Sequence, residues 1–154
     1  MKIYTSYFAK LDVLNSVDIV PVSISLSSPV WFMGIEYKDL APENWILRYK
    51  NEPEIYTHYF KERILGKLSP ERVLLDLAEI GRGKDVAILC YEKPGSFCHR
   101  HLVREWLNNF IGTCEPKEPA LLRDIHKYLL LKEVTLMPIT EFQKELPLVA
   151  LFGN

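Results

Sequence analysis

The sequence predicts an α/β sandwich around a mostly parallel sheet, and three observations predict it. Residues 85–91 (Asp-Val-Ala-Ile-Leu-Cys-Tyr) form a continuous apolar run between turn residues, the pattern of a strand buried on both faces. A well-marked helix precedes that run, and a tight turn into a second helix follows it. Two earlier segments, residues 2–8 and 17–25, alternate in polarity and are rich in β-branched and aromatic side chains, so strands and helices interleave along the chain. Together these give a three-layer, doubly wound, Rossmann- or flavodoxin-like sheet with right-handed crossovers.

Each element has its own reason. Residues 2–8 read as the first strand. In 17–25 Pro21 lacks an N–H, so the second strand is expected to begin at or just beyond it. Residues 27–40 hold Pro29, Trp31, Phe32, Met33, Gly34 and Tyr37 without periodicity and read as a long loop, either a ligand lid or a cover over the edge of the core. Helices are expected over 42–50 and 54–65, the second placing Ile55, Tyr59, Ile64 and Leu65 on or near one face before Gly66. Ser69-Pro70 is an N-cap followed by a first-turn proline; Val73, Leu74, Leu77 and Ile80 supply the stripe of that helix, and Gly81-Arg82-Gly83 stops it. Beyond the central junction, 119–131 reads as a helix and 134–137 as a further strand. Residues 141–154 read as a short helix and an apolar tail.

At 154 residues, 48% hydrophobic and 25% charged, the chain fits one domain over 1–154 with a core that needs no disulfide or structural metal. A formal charge of -1 provides no overall field to recruit duplex nucleic acid or an anionic membrane. The first residues lack the apolar run of a signal peptide and no stretch is long enough to cross a bilayer, so a cytoplasmic location is expected. Three cysteines fit free thiols or a metal site better than a disulfide framework.

The chemistry concentrates in residues 90–100, where a strand end meets a helix start. On a helical wheel Leu102, Val103, Trp106, Leu107 and Phe110 define the buried stripe of that helix. His99 falls near its middle, His101 nearly opposite, Arg104 toward solvent, and Arg100 on its flank. An inward His99 beside Cys90 and Glu92 can be a general acid or base, with a carboxylate fixing its tautomer; it can equally be a core histidine bonded to Glu92 or to a backbone carbonyl. The helix amino end favours a thiolate at Cys98. Cys90 is either part of the site or a small buried hydrophobe. Arg100 can bind a phosphate or carboxylate as a bidentate fork, or pair with Glu92.

Sharper motifs fail. Cys98 and Arg104 have the spacing of a cysteine phosphatase loop, yet the residues between them lack glycine and belong to a helix. A zinc site from Cys90, Cys98 and His99 or Cys114 is geometrically conceivable but lacks a short-spaced knuckle, so no metal and no cofactor is assigned. There is no phosphate-binding Walker loop and no Gly-x-Gly-x-x-Gly fingerprint.

Residues 89–92 (Leu-Cys-Tyr-Glu), 97–100 (Phe-Cys-His-Arg) and Trp106-Leu107 resemble the signature of the Domain of Unknown Function 488 family. The opening Ile3-Tyr4-Thr5, Val22-Ser23-Ile24-Ser25 with Pro29, and Tyr37 through Leu40-Ala41-Pro42 support the likeness over about residues 1–110. The resemblance implies a compact α/β domain without an established reaction, and carries over Cys90, Glu92, Cys98, His99 and Arg100. Many members place an acid and an arginine after the second strand, where this chain has Ser23 and Ser25.

Three functions follow as expectations. One is a small enzyme acting on a phosphorylated or nucleotide-like substrate, with Glu92 and His99 as the acid–base pair, Cys98 as a further catalytic group, and Arg100, Cys90, Ser23, Ser25, Trp31 and Tyr37 binding the ligand. Another is a nucleotide or small-anion sensor using the same pocket without turnover. The third is a protein-interaction domain using the 27–40 loop. Trp31, Phe32 and Tyr37 could stack on single-stranded bases, but the basic residues are dispersed.

Overall fold

The computed structural model describes residues 1–113 and 139–142. Among these residues five strands, β1 (Ile3–Tyr7), β2 (Val20–Ser23), β3 (Ile35–Glu36), β4 (Val86–Cys90) and β5 (Thr140–Glu141), form one sheet in the order β3-β2-β4-β1-β5, every pairing parallel. The helices are α1 (Leu11–Ser16), α2 (Pro53–Arg63), α3 (Pro70–Gly81) and α4 (His99–Thr113). The chain is thus an α/β sandwich on a parallel sheet, as its pattern predicts.

The apolar run predicted as the central strand is β4. It lies in the middle of the sheet, buried at all five positions, and its register sets Ile3 against Val86 on one side and Val20 against Val86 on the other. Because side chains alternate across a pleated strand, Val86 and Ile88 face one layer and Ala87 and Leu89 the other. The first layer joins Ile3, Val22 and Ile24 to Tyr56 and Phe60 of α2, Val73, Leu74 and Leu77 of α3, and Leu102, Val103 and Leu107 of α4. The second packs Val13 and Leu14 of α1 with Phe8, Ile19, Phe32 and Phe142. Among the described residues, three helices pack on one face, and one short helix with an aromatic cluster packs on the other.

Local signals mostly behave as read. Ser69 caps α3, its hydroxyl accepting from the Arg72 N–H, and Arg82 stops the helix in the left-handed region at φ 49°. Gly81 is required by close approach, since a Cβ there would lie 2.9 Å from the Val86 side chain.

Several expectations are corrected. β2 begins at Val20 and contains Pro21, because alternate residues of a parallel strand bond to opposite neighbours. Val20 donates to Asp85, just ahead of β4, and Ile24 to Leu89 within it, so Pro21 turns its missing donor toward β3, whose pairing starts only at Val22. Residues 42–50 yield only the 3-10 turn Ile46–Tyr49, since Trp45, Ile46 and Leu47 are consecutive and make no helical stripe. The buried face of α2 is Tyr56 and Phe60, spaced i,i+4, while Ile55 is exposed. The 27–40 loop contains β3 and the 3-10 turn Lys38–Leu40. Glu141 lies in β5 and does not open a helix. The expected helix at 119–131, the strand at 134–137, Cys114 and residues 143–154 lie outside the described residues. Among the described residues no helix is long and apolar enough to cross a membrane.

Candidate functional site

The carboxyl ends of the parallel strands β1, β2 and β4 share one edge of the sheet, which is where open α/β sheets form crevices. Past Cys90 the chain turns at Lys93–Ser96: the Ser96 N–H donates to the Lys93 carbonyl at 3.2 Å, and Gly95 has φ 84°. Pro94-Gly95 is the residue pair that a type II turn favours, proline for its fixed φ and glycine for the positive one. The chain then enters α4, whose first turn begins with the His101 N–H donating to the Cys98 carbonyl at 3.0 Å.

This geometry opens a crevice of about 420 Å³ lined by Cys90, Glu92, Cys98, His99, Ser25 and Tyr56, with Lys50 and Asn51 also on its wall. Cys90, Cys98 and His99 are all buried, and their ligating atoms lie within 4.8 Å of one another. His99 Nε2 lies 3.0 Å from the Ile24 carbonyl oxygen, which only accepts, so Nε2 carries the proton. Nδ1 then faces Cys90 Sγ at 3.9 Å. The tautomer is thus fixed by the carbonyl of Ile24 rather than by a carboxylate. Tyr56 and Phe60 pack their rings on the imidazole at centroid distances of 6.5 and 5.2 Å.

The thiols are held unequally. The sulfhydryl of Cys90 and the imidazole of His99 hold Cys98 far below the ordinary thiol range against the opposing effect of burial. The Cys98 sulfur, followed by burial, pushes Cys90 up, so the pair shares its proton on Cys90. The Glu92 carboxyl is raised above its usual range, first by desolvation against the crevice wall and then by Cys98. Burial and the same two sulfurs raise the Tyr56 hydroxyl.

A family model described as the active DUF488-N3 subclade matches residues 20–110, from the start of β2 through most of α4. The chain belongs to the DUF488 family. No curated protein and no solved structure matches it. The matched span contains every residue of the cysteine–histidine cluster in this DUF488 domain.

The structure brings Cys90, Glu92, Cys98, His99 and Ser25 to the crevice wall and takes the other predicted residues elsewhere. Arg100 is fully buried: Nη1 donates to the Glu92 carbonyl oxygen at 2.5 Å and Nη2 pairs with Glu141 at 3.3 Å. It therefore braces the loop from behind instead of offering a free fork. His101 and Arg104, read as solvent-facing, also turn to Glu141, at 3.3 and 3.8 Å. Ser23 is buried in a hydroxyl chain, 2.8 Å from Ser25 Oγ and accepting from Ser28 at 2.7 Å. The Tyr37 hydroxyl donates to Asp76 at 2.6 Å and ties the loop to α3. Trp31 packs edge-on against Phe8 and is largely exposed.

Glu141, Tyr56, Lys50 and Asn51 did not stand out in the sequence. Tyr56, Phe60 and Ile64 at i, i+4, i+8 could have marked the face of α2 that meets the site; nothing local marks Glu141.

Proposed function

We propose that the crevice binds and turns over a small anionic molecule, phosphorylated or nucleotide-like. The observation that supports this best is the convergence of two thiols, an imidazole and a carboxyl on one wall of a crevice at the end of the central strand. Lys50 and the first N–H groups of α4 supply attraction for an anion, the role expected earlier of Arg100. Ser25 adds a hydroxyl at the wall, Glu92 moves the proton, and Cys98 supplies an electron pair. Arg100 is a positioning residue, fixing the backbone that carries Glu92.

Adenosine monophosphate and inorganic phosphate serve as probes. Saturating nucleotide, at about 100 times its Kd, is expected to stabilise the protein by roughly 2.7 kcal/mol and to raise Tm accordingly, and Lys50→Ala should abolish the rise. Glu92→Gln should retain binding but leave the ligand chemically unchanged by mass spectrometry. If neither probe shifts Tm, the anion reading is lost. Binding with the ligand recovered intact from wild type would convert the enzyme into a sensor.

A second reading rests on a separate observation. Val30, Trp31 and Met33 expose 100%, 59% and 91% of their surface in one stretch of the 27–40 loop, a cluster typical of a protein contact. Replacing Val30 and Met33, which are almost fully exposed and leave the Trp31–Phe8 contact intact, with serine should leave Tm within about 2 °C, since exposed positions contribute little to stability. Loss of a co-purifying protein on that replacement supports the contact, and an unchanged set of co-purifying proteins opposes it.

A further inference from the structure

We propose that Cys90 Sγ, Cys98 Sγ and His99 Nδ1 form a three-ligand site for a zinc ion whose fourth position opens into the crevice. Three features carry it, and the first is distance. Zinc–sulfur and zinc–nitrogen bonds of about 2.3 and 2.0 Å at a tetrahedral angle place sulfur and nitrogen about 3.5 Å apart. Cys90 Sγ and His99 Nδ1 stand 3.9 Å apart, and all three ligand atoms fit within 4.8 Å, so a small rotamer adjustment completes the triangle.

The second feature is orientation. A metal-binding histidine characteristically donates its other ring N–H to a carbonyl or carboxylate, which fixes the tautomer and aims the free lone pair. His99 has that arrangement, with Nε2 donating to Ile24 and Nδ1 facing the sulfurs. Tyr56 and Phe60 hold the ring in place. The ligands also sit on rigid elements, the last residue of β4 and the start of α4.

The third is charge. Two thiolates buried side by side are costly, and a doubly charged cation neutralises both within the same volume. Thiolate and imidazole together favour zinc over the harder magnesium or calcium. Among the described residues the cluster comprises these three and no fourth His or Cys, and each of the three lines the crevice. Three protein ligands with an exchangeable fourth position is the arrangement of a catalytic zinc, whereas a structural site is closed by a fourth ligand. The inference rests on the crevice being a substrate site, because a substrate atom or water then completes the coordination. In that case Cys98 gives its electron pair to the metal rather than to the substrate.

The test uses the full chain purified without chelator. Elemental analysis is expected to find close to one zinc per chain. After stripping, titration with Zn²⁺ against a chromophoric chelator should give a single site tighter than about micromolar, and Co²⁺ should give a thiolate charge-transfer band with tetrahedral d–d bands. Cys90→Ser, Cys98→Ser and His99→Ala should each weaken binding by more than about 100-fold. Wild type that is folded by circular dichroism yet binds Zn²⁺ no better than the Cys90→Ser/Cys98→Ser variant overturns the proposal. The nucleotide-induced Tm shift on stripped protein keeps the two readings apart. A shift without metal binding sinks the zinc site alone, and metal binding without a shift on stripped or zinc-loaded protein sinks the anion reading alone.

Discussion

Glu141→Ala is expected to cost about 3–5 kcal/mol of unfolding free energy, because it leaves the Arg100 guanidinium buried without a counter-charge. With Tm falling about 2–4 °C per kcal/mol for a chain of this size, the drop should be on the order of 10 °C. Glu141 also accepts from the Thr5 hydroxyl at 3.0 Å and pairs with His101 and Arg104. Arg104 is partly exposed at 3.8 Å, so Arg104→Ala should cost under about 1 kcal/mol. His101 is held below its ordinary pKa by burial and then by Arg100, so at neutral pH it adds a neutral N–H and no second charge. Removing both members of the main pair, as Arg100→Met with Glu141→Leu, should recover most of the loss, since a buried ion pair gains little over apolar packing of similar volume. Urea denaturation of the single and double variants gives the coupling directly. An exposed-pair value, below about 1 kcal/mol for Glu141→Ala, would show that Arg100 reaches water.

That ion pair matters to the crevice although it stands outside it. Arg100 follows His99 in the first turn of α4, so its side chain leaves the helix about 100° away and reaches β5 while His99 reaches Ile24, the residue just past β2. The same guanidinium holds the Glu92 carbonyl, so the loop that carries Glu92 is fastened to the sheet through Glu141. Asn108 adds a second fastening, donating to the Ile139 carbonyl at 3.0 Å and accepting from its N–H at 2.7 Å. The two-residue strand β5 is therefore a brace for the site.

The junction of β4 and α4 was legible because its signals are local. A five-residue apolar strand, a Pro-Gly turn and a 3.6-period stripe each declare themselves within a few residues, and the wheel correctly turned His99 inward. α3 was legible for the same reason, through its Ser69-Pro70 start. What escaped depends on distant partners. Helix α1 has six residues and two buried side chains, too few to show a period. β3 and β5 have two residues each, below the length at which alternation exists. The wheel turned His101 and Arg104 outward and left Arg100 on the flank to meet a ligand or Glu92, whereas β5, some 41 residues after Arg100 in the chain, brings Glu141 to all three. A pairing so remote leaves no periodic trace.

In metal-stripped protein, alkylation of Cys98 by iodoacetamide should hold its rate within about twofold as pH falls from about 8 to about 6. An ordinary thiol with a pKa near 8.5 loses roughly 100-fold in thiolate over that interval. The sign follows from the site: Cys90 and His99 stabilise the anion on Cys98 more than burial opposes it, so the folded pKa lies below the whole window and the thiolate fraction stays near one. Comparing Cys98 with itself across pH cancels its limited access. Cys90 should react far more slowly throughout, because its proton is retained beside the Cys98 anion. Cys90→Ala removes the largest stabilising contact and should restore a steep dependence on pH, whereas Cys90→Ser keeps a donor and should preserve most of the plateau. Peptide mapping assigns the label to each cysteine. A slope near tenfold per pH unit at Cys98 in the wild type would mean that the proton sits there, and that the shared-proton description of the pair is wrong.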